Sequence, residues 1–390
     1  MKILHCCLMG AFTEKLAYQE NIMSLMHKLQ GHDVLILAST ETFINNTTIG
    51  YTSPIEYITK EGIRLIRVPF KKWLPKQIEK KIRIYNCIYH IIEDYNPDII
   101  FMHDCQFFNI FEFSKYLKKN NNVRLYIDSH TDQYNSAKNI LSKYILHRLI
   151  YRRLVKSIIP FTTKFYGTLP ARGDFYKKFY RTPLSKTEFL PMGINPIEVD
   201  FQNRNKIKNE IRQNLNIKNH EFVFITGGKI NIRKNIHLLM KAINRIKSND
   251  IKLIIFGSPT NDTHEIFHNE LNESNNKIIH LGWIPSNETY KYFFASDMAF
   301  FPGTHSTLWE EALGLGIPCI FKYWEGINHV DLGGNCILLE EPNIDSISNI
   351  IMRMINNKFE FEKMKINALK TTNMEMFNYY NISKKAIEID

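Results

Sequence analysis

The amino-acid sequence predicts an α/β protein built from two tandem, doubly wound Rossmann-like domains that face a cleft. Short apolar runs rich in β-branched residues alternate with longer amphipathic stretches, which is the pattern of a parallel sheet with crossover helices. The same alternation restarts near residue 221, and 390 residues are enough for two such domains. Because open α/β sheets bind ligands at the carboxyl ends of their strands, the loops after the strands are where chemistry is expected.

Six segments of the first half are predicted strands. They cover residues 3–8, 33–38, 63–68, 98–102, 123–127 and 161–168. Each is short and largely apolar, as expected of strands that are covered on both faces. Amphipathic stretches at 18–29 and 76–94 lie between them and are predicted helices.

The second half repeats this arrangement. Predicted strands cover residues 221–226, 251–256, 277–281, 298–301, 317–321 and 336–339, and predicted helices cover 235–246, 287–295 and 308–315. The junction lies within residues 182–205, where proline and glycine punctuate a polar stretch. We therefore predict an N-terminal domain at 1–195, a C-terminal domain at 196–370, and a helical segment at 371–390 that packs back on the N-terminal domain.

The composition excludes several classes of protein. With 44% hydrophobic and 23% charged residues, the chain has too much core material and too little charge to be disordered. Its six cysteines lack C-x-x-C or Cys/His zinc spacing, which favours the reducing cytoplasm. The start of the chain is predicted to be a strand rather than a signal peptide, and no run of about 18 uncharged apolar residues suggests a membrane span.

The excess positive charge belongs to one half of the chain. The formal net charge is +11, and residues 1–200 hold 28 Lys and Arg against 18 Asp and Glu, whereas residues 201–390 hold 22 against 21. A basic half suits nucleic acid, anionic lipid or a phosphorylated substrate. It also suits solubility alone, and net charge does not choose among these.

The densest local signal runs from residue 300 to 318, FFPGTHSTLWEEALGLGIP. It predicts a strand, a small-residue loop, a helix beginning near Thr307, and a glycine turn into the next strand. The free amides at such a helix start suit a phosphate. Thr307-x-x-Glu310 matches a capping box, so Glu310 is predicted to satisfy the helix's own amides. Glu311 lies about 100° further round the helix, where it either accepts vicinal hydroxyls or is a solvated surface residue.

This segment resembles the donor-site motif of family-4 (group 1) retaining glycosyltransferases with the GT-B fold. In that family two glutamates are separated by seven residues and are followed by Ala and G-x-P. Glu311 takes the second position, whereas Gly303 stands where the first glutamate is expected. The resemblance implies that Glu311 binds the ribose of a nucleotide. It leaves His305 and the amides of Ser306, Thr307 and Leu308 as candidates for phosphate or sugar contacts.

A second segment, GGKINIRKN at 227–235, follows a predicted strand and resembles the family's G-R-x-x-x-x-K segment. Lys229 takes the Arg position and Lys234 the Lys position, and two cations there can neutralise a diphosphate leaving group. By spacing alone they could equally form a solvated face. The family's loop after its first strand and its G-x-G strand end correspond to Gly10 and to Gly257; Gly228 belongs to the same donor site.

Several further expectations come with the resemblance. His130, which closes the fifth predicted strand, is expected to face the reacting sugar, although a lone histidine is often structural. No D-x-D sequence occurs, so no metal site and no cofactor are predicted, and a UDP-sugar is expected as the donor substrate. Catalysis is assigned to His130, Lys229 and Lys234.

A basic amphipathic helix is predicted within residues 138–159. Arg148, Arg152 and Lys156 recur every four residues, beside an apolar stripe at 146, 150, 154 and 158. Such a helix suits an anionic membrane surface or an acceptor, or it is an ordinary core helix with a solvated face. A second basic cluster with an aromatic residue lies at 71–81.

Together these features predict a retaining, metal-independent glycosyltransferase. It would move a sugar from a nucleotide-diphosphate donor to a hydroxyl of a saccharide or lipid-linked acceptor, in surface glycan or lipid-linked saccharide synthesis. Its predicted location is cytoplasmic, with peripheral attachment to the inner face of the membrane, and nucleic acid is not an expected partner. The alternatives are a nucleotide-sugar epimerase or a phosphorylase on the same fold, or a non-catalytic basic binding protein.

Overall fold

The computed structural model describes residues 1–14, 16, 18–45, 48–71, 82–132, 136 and 139–388. The chain divides into two compact units. The first contains Met1–Pro191 together with Ile382–Asp390, and the second contains Met192–Asn381. The end of the chain is thus grouped with the first unit, from residue 382 onward.

The first unit is built on an eight-stranded sheet with the order β10-β9-β8-β7-β1-β2-β6-β5. All neighbours pair in parallel except β5 and β6, which are antiparallel. A separate antiparallel hairpin is formed by β3 and β4. The strands are β1 (Lys2–Cys7), β2 (Asp33–Ser39), β3 (Glu41–Asn45), β4 (Thr48–Tyr51), β5 (Ile55–Ile58), β6 (Arg64–Val68), β7 (Ile99–His103), β8 (Arg124–Ser129), β9 (Thr162–Gly167) and β10 (Thr187–Phe189).

Helices cover this sheet. They are α1 (Gln19–Leu29), α2 (Ile88–Tyr95), α3 (Ile110–Lys119), a helix with i→i+5 hydrogen bonds (Leu141–Tyr151) that continues as α4 (Arg152–Ile158), α5 (Pro170–Phe175) and a second i→i+5 segment (Tyr176–Tyr180). The central strands β1, β7 and β8 are almost wholly buried, which explains their near-continuous apolar sequences. Their carboxyl ends lie at one edge of the sheet.

The second unit has a six-stranded, wholly parallel sheet with the order β13-β12-β11-β14-β15-β16. Its strands are β11 (Phe222–Gly227), β12 (Ile251–Phe256), β13 (Ile278–His280), β14 (Met298–Phe301), β15 (Cys319–Lys322) and β16 (Cys336–Leu339). Its helices are α6 (Arg204–Asn214), α7 (Ile236–Arg245), α8 (His264–Asn272), α9 (Thr289–Ala295), α10 (Leu308–Gly314), α11 (Ile344–Asn356), α12 (Lys358–Ala368) and α13 (Thr371–Met376). The last helix, α14 (Tyr379–Ala386), leads back to the first unit.

One buried cation fastens the start of the second unit to its sheet. Arg212 on α6 donates to the carbonyl oxygen of Ala295 at 2.8 Å and to that of Glu221 at 3.2 Å. It also donates to the carboxylate of Asp297 at 2.6 Å, which in turn accepts from the amide of Val223 at 2.9 Å. The guanidinium therefore ties α6 to the starts of β11 and β14.

The predicted fold class is confirmed. All twelve predicted strands are present, most within one or two residues of the predicted bounds. The sequence analysis did not predict β3, β4, β5 and β10, which are short and, in β4 and β5, largely exposed. The predicted helix at 76–94 lies partly outside the described residues, and its described portion contains α2.

Candidate functional site

Two glycine turns meet at the carboxyl edge of the second unit's sheet. Gly228 follows β11 and Gly257 follows β12, with φ of +97° and +103°, a region that glycine adopts without strain. The amide of Gly228 donates to the carbonyl of Phe256 at 3.0 Å. A Cβ at position 257 would lie 1.9 Å from the carbonyl oxygen of Gly228. Only glycine fits there, so the structure brings these two predicted donor-site residues together.

The loop after β14 is held in place by Lys234. The Lys234 ammonium donates to the carbonyl oxygens of Thr304 at 2.8 Å and His305 at 2.9 Å, and Asn235 donates to that of Pro302 at 3.1 Å. Burial, with a smaller contribution from the charge of Arg233, lowers the pKa of Lys234 to about 8. An ammonium has three donors, and two of those of Lys234 hold this loop.

The backbone explains why Gly303 replaces the expected first glutamate. A Cβ at position 303 would lie 2.3 Å from the carbonyl carbon and oxygen of Lys234. Contacts this short are excluded for a real side chain, so the loop that Lys234 fastens has room only for glycine. The missing carboxylate is therefore part of how this loop packs against the 229–235 segment.

The predicted capping role of Glu310 is wrong. Thr307 precedes α10 without a side-chain capping hydrogen bond, and Glu310 is fully buried. Its carboxylate accepts from Nε2 of His305 at 2.9 and 3.0 Å and from Nε2 of His329 at 2.9 Å. Burial alone would raise its pKa, but the two imidazoles outweigh burial and lower the pKa of Glu310 to about 2. Glu310 thus anchors His305 instead of capping the helix.

The side chain of Glu311 is partly buried rather than fully solvated. Its carboxylate accepts a short hydrogen bond from the hydroxyl of Thr289, the first residue of α9. Burial raises the pKa of Glu311 to about 7, and the charge of Glu198 adds to that effect. A ligand that donates hydrogen bonds would stabilise the ionised form of this half-buried carboxylate.

The remaining predicted donor residues lie around this edge. The side chain of Leu308 contacts Gly228, since a Cβ at 228 would lie 3.2 Å from it. The carbonyls of Ser306 and Thr307 accept the first hydrogen bonds of α10, from Trp309 and Glu311 at 3.0 Å each. In the part of the chain that is described, the amides of Ser306, Thr307 and Leu308 donate to no backbone carbonyl.

Lys229 is placed differently from Lys234. Its side chain is exposed, in the turn between Gly228 and the short helical turn Ile232–Lys234. Its charge contributes to lowering the pKa of Asp262, after the hydrogen bonds from Thr260 and Ile232. The structure therefore places one predicted cation in solvent and the other within the site.

In the first unit, His130 follows β8 beside two carboxyl groups that the sequence analysis did not single out. Its Nε2 lies 3.7 Å from Oδ1 of Asp128, and its amide donates to Oδ1 of Asp104 at 3.3 Å. Gly10 follows β1, is exposed, and a Cβ there would meet nothing within 4 Å. A signal for the carboxyl groups was present, since each aspartate ends or follows a predicted buried strand.

The basic helix differs from the prediction in its apolar stripe. Leu154 and Ile158 are buried, but Ile150 is exposed. The reason is that Leu141–Tyr151 has i→i+5 hydrogen bonds. Its turns contain more residues than those of an α-helix, so a stripe drawn for an α-helix does not stay on one face. Arg148 and Lys156 are exposed and Arg152 is half-buried. The apolar side chains of Ile140, Ile145 and Leu149 are exposed as well. The basic cluster predicted at 71–81 lies, apart from residue 71, outside the described residues.

Among the described residues, none of the helices combines the length and the apolar character of a membrane span. There, too, no group of three or more His, Cys, Asp or Glu side chains is arranged to hold a metal ion.

The architecture is that of GT-B glycosyltransferases. The chain matches sucrose-phosphate synthase from Thermosynechococcus elongatus with a TM-score of 0.68 and 14% identity, covering 99% of this chain and 97% of that one. It matches HepE from Anabaena in complex with UDP-glucose with a TM-score of 0.67 and 15% identity, covering 100% and 98%. At these identities the likeness establishes the fold.

Sequence comparison supports the same class. Residues 207–371 match the family model "Glycosyl transferases group 1". An uncharacterized glycosyltransferase of Methanocaldococcus jannaschii is 22% identical over 362 residues, covering 88% of this chain and 87% of the relative. Family match, relative and fold together support a group 1 glycosyltransferase.

Proposed function

We propose that the chain transfers a sugar from a UDP-sugar to a hydroxyl acceptor with retention of anomeric configuration and without a bound metal. The observation that carries the proposal is the convergence of Gly228, Gly257, Lys234 and Glu311 at one sheet edge. There, two glycines allow a ligand to approach the backbone closely, a buried ammonium supplies charge for the diphosphate, and a carboxylate accepts ribose hydroxyls.

The choice of nucleotide rests on the structural neighbours. HepE from Anabaena is described in complex with UDP and with UDP-glucose, and its fold matches this chain over its whole length. Lys234 is the cation best placed to stabilise the charge that develops on the leaving diphosphate, because it is largely buried and its charge is poorly screened. His305, held by Glu310, is the candidate contact to the donor sugar in the absence of a carboxylate at 303.

Calorimetry with UDP and product analysis with UDP-glucose test this proposal. Lys234→Met is expected to weaken UDP binding at least tenfold, since charge-assisted hydrogen bonds are worth about 1.5–3 kcal/mol. Lys206→Met, which removes an exposed lysine on α6, is the matched control and is expected to bind UDP normally. Equal affinities for the two variants would contradict the donor site. The anomeric configuration of the product, read by NMR, tests retention.

The acceptor is proposed to be a saccharide carried by lipid, at an anionic membrane surface. Ile140, Ile145 and Leu149 are exposed and are spaced five and four residues apart, so they share one face of the i→i+5 helix. No Asp or Glu occurs between residues 133 and 173, which contain eight Lys and Arg. Exposed apolar side chains on a purely basic segment suit the interface of an anionic bilayer.

Vesicle sedimentation tests this surface. Binding to vesicles with phosphatidylserine is expected to fall with salt and to be lost in Arg148→Glu/Arg153→Glu. Lys60→Glu/Lys118→Glu carries the same charge change on exposed residues elsewhere in the first unit and is expected to retain binding. Leu149→Ser keeps the charge and is expected to weaken binding by removing apolar area. Equal loss in both charge variants would point to net charge rather than to this surface.

A nucleotide-sugar epimerase is the second candidate, favoured by one comparison. The UDP-GlcNAc 2-epimerase from Neisseria meningitidis matches with a TM-score of 0.61 and 13% identity, covering 100% of this chain and 99% of that one. Inversion at C2 of UDP-N-acetylglucosamine without acceptor would favour this function over transfer. Binding of UDP with no turnover of any UDP-sugar would favour a non-catalytic protein.

A further inference from the structure

Three buried histidines form a continuous hydrogen-bonded chain through the first unit. His27 Nε2 lies 3.0 Å from the carbonyl oxygen of Ser383, and His27 Nδ1 lies 2.9 Å from His5 Nε2. His5 Nδ1 lies 3.1 Å from His103 Nε2, and His103 Nδ1 lies 2.8 Å from Oδ2 of Asp128. The chain runs from α14 through α1, β1 and β7 to the end of β8.

Counting hydrogens shows that this chain holds one extra proton. Four hydrogen bonds link three imidazole rings, and both ends of the chain, a carbonyl and a carboxylate, are acceptors. Each bond needs one hydrogen, so four are required, whereas three neutral imidazoles carry three. Either one ring is an imidazolium or Asp128 is protonated.

The electrostatics place the extra proton on His103. Burial lowers the pKa of His5 and lowers that of His27 to about 4. Burial also acts to lower the pKa of His103, but the charge and hydrogen bond of Asp128, together with the charges of Glu20 and Asp104, outweigh burial and raise the pKa. For Asp128, burial acts to raise the pKa, but the charge and hydrogen bond of His103, with smaller contributions from His130 and the amide of Asp104, outweigh burial and lower the pKa. The result is a buried ion pair, with His5 and His27 neutral.

The groups that face His103 from its neighbours support this location. They are Asp128 on β8, Glu20 on α1, Asp104 directly after it, and the neutral His5 on β1. All three carboxyl groups act to raise the pKa of His103.

The ion pair is continuous with the edge where the acceptor is expected. Oδ1 of Asp128 accepts from the amide of Asp104 at 3.3 Å and lies 3.7 Å from His130 Nε2. Asp104 is held in the left-handed region with φ of +59° and accepts from the amide of His130 and the hydroxyl of Thr131, each at 3.3 Å. A non-glycine residue in this conformation is costly and is typical of functional sites.

We propose that His103 is a positioning residue of the acceptor site, where its fixed charge keeps Asp128 anionic and thereby orients Asp104 and His130 for an acceptor hydroxyl. The proposal rests on the proposed transferase function. Asp128 is anionic, whereas burial and the charge of Asp128 raise the pKa of Asp104 to about 7. Both groups offer oxygen acceptors rather than a cation at this edge, so a neutral polyol fits the reacting end of the acceptor better than a phosphate.

Nitrogen-15 NMR of the histidine-labelled full-length chain tests the proton's location directly. At pH 7.5, His103 is expected to show two protonated ring nitrogens, whereas His5 and His27 show one each, at Nε2. Loss of one spin system in His103→Gln supplies the assignment. A neutral His103, with the extra proton on Asp128 or on another ring, would overturn the proposal.

Two substitutions of His5 separate positioning from packing. Gln can accept from His103 and donate to His27, whereas Phe can do neither. His5→Phe is therefore expected to neutralise His103 and to lower kcat/KM for the acceptor about tenfold or more, while His5→Gln retains both properties. UDP affinity is expected to be unchanged in both variants because the donor residues lie in the second unit.

His147→Phe is the matched control for removing a buried histidine from the same unit. His147 is not part of the chain of three histidines. Its ring nitrogens form hydrogen bonds with the hydroxyls of Tyr180 at 2.7 Å and Ser136 at 3.0 Å. The His147→Phe substitution is expected to lower the stability of the protein without changing the protonation of His103. Unchanged acceptor kinetics in His5→Phe would refute the positioning role. Absence of UDP binding and turnover in the wild type would instead refute the proposed function. The NMR measurement separates these outcomes, because it reports the protonation of His103 without UDP binding or turnover.

Discussion

Binding of UDP is expected to expel a proton from Glu311. With a pKa of about 7, this carboxyl is about nine-tenths protonated at pH 6 and about one-tenth at pH 8. Ribose hydroxyls donate best to the ionised form, so they lower its pKa on binding. If bound UDP returns this pKa to about 4.5, its ordinary value, binding releases close to 0.9 proton through Glu311 at pH 6 and about 0.1 at pH 8.

Calorimetry in buffers of different ionisation enthalpy measures this release. The phosphate of UDP and Lys234 also exchange protons in this range, so the relevant quantity is the difference between the wild type and Glu311→Gln. A difference close to one proton at pH 6 that vanishes at pH 8 is expected. Equal proton release by both proteins at pH 6 would show that Glu311 does not accept from the nucleotide.

The same raised pKa makes a prediction about stability. Between the unfolded pKa of about 4.5 and the folded pKa of about 7, the folded state binds more protons, so Glu311 reduces stability as the pH rises through this window. A shift of one pKa unit corresponds to about 1.4 kcal/mol, which gives an upper limit of about 3 kcal/mol, less for a partly exposed group. Glu311→Gln is expected to raise the melting temperature at pH 8 and to have little effect at pH 4. A destabilising effect at pH 8 would refute the burial argument.

Three other substitutions test the packing around the site. Gly303→Glu restores the family's first glutamate but forces a Cβ onto the Lys234 backbone, so activity is expected to fall; a gain would show that the loop has room. Gly257→Ala is expected to cost about 2–4 kcal/mol in denaturant unfolding, against under about 1 for Gly10→Ala, whose Cβ is unobstructed. Arg212→Met removes the hydrogen bonds to Asp297, Ala295 and Glu221 while Asp297 keeps Lys208 at 3.1 Å, so it is expected to cost about 1.5–3 kcal/mol in the same assay.

Much of the fold could be predicted because most strands have a local sequence pattern that identifies them. Buried parallel strands need continuous apolar runs, so β11 and β12 were visible within a few residues of their true bounds. The hairpin strand β4 and the antiparallel strand β5 lack such runs, since exposed strands are stabilised by their partners rather than by their own sequence. Their existence depends on pairing that no local pattern encodes.

The position of the candidate site could be predicted in outline, but its contacts could not. The order of strands, glycines and cations predicted that Gly228, Gly257 and Lys234 lie after strands of one sheet, and whether they bind a donor stays a prediction. A four-residue capping pattern misassigned Glu310. The carboxylate of Glu310 accepts a hydrogen bond from His329, which lies 19 positions later in the sequence. His329 reaches Glu310 only because the loop after β15 folds back. Tertiary partners of this kind outweigh a local capping preference whenever the carboxyl group is buried.

The first unit carries an excess of positive charge in one segment and carboxyl groups at one strand edge, and the proposed acceptor would meet both. Its excess of Lys and Arg includes the exposed basic residues of the 133–173 segment, whereas the strand edge beside His130 carries the carboxyl groups of Asp104 and Asp128. An acceptor that is anionic at its reacting end would meet the wrong sign there. An acceptor with a neutral sugar at one end and an anionic, membrane-held group at the other satisfies both regions. On this basis, lengthening the saccharide between the two ends is expected to change the acceptor KM more than kcat, because it alters docking and leaves the reacting hydroxyl unchanged.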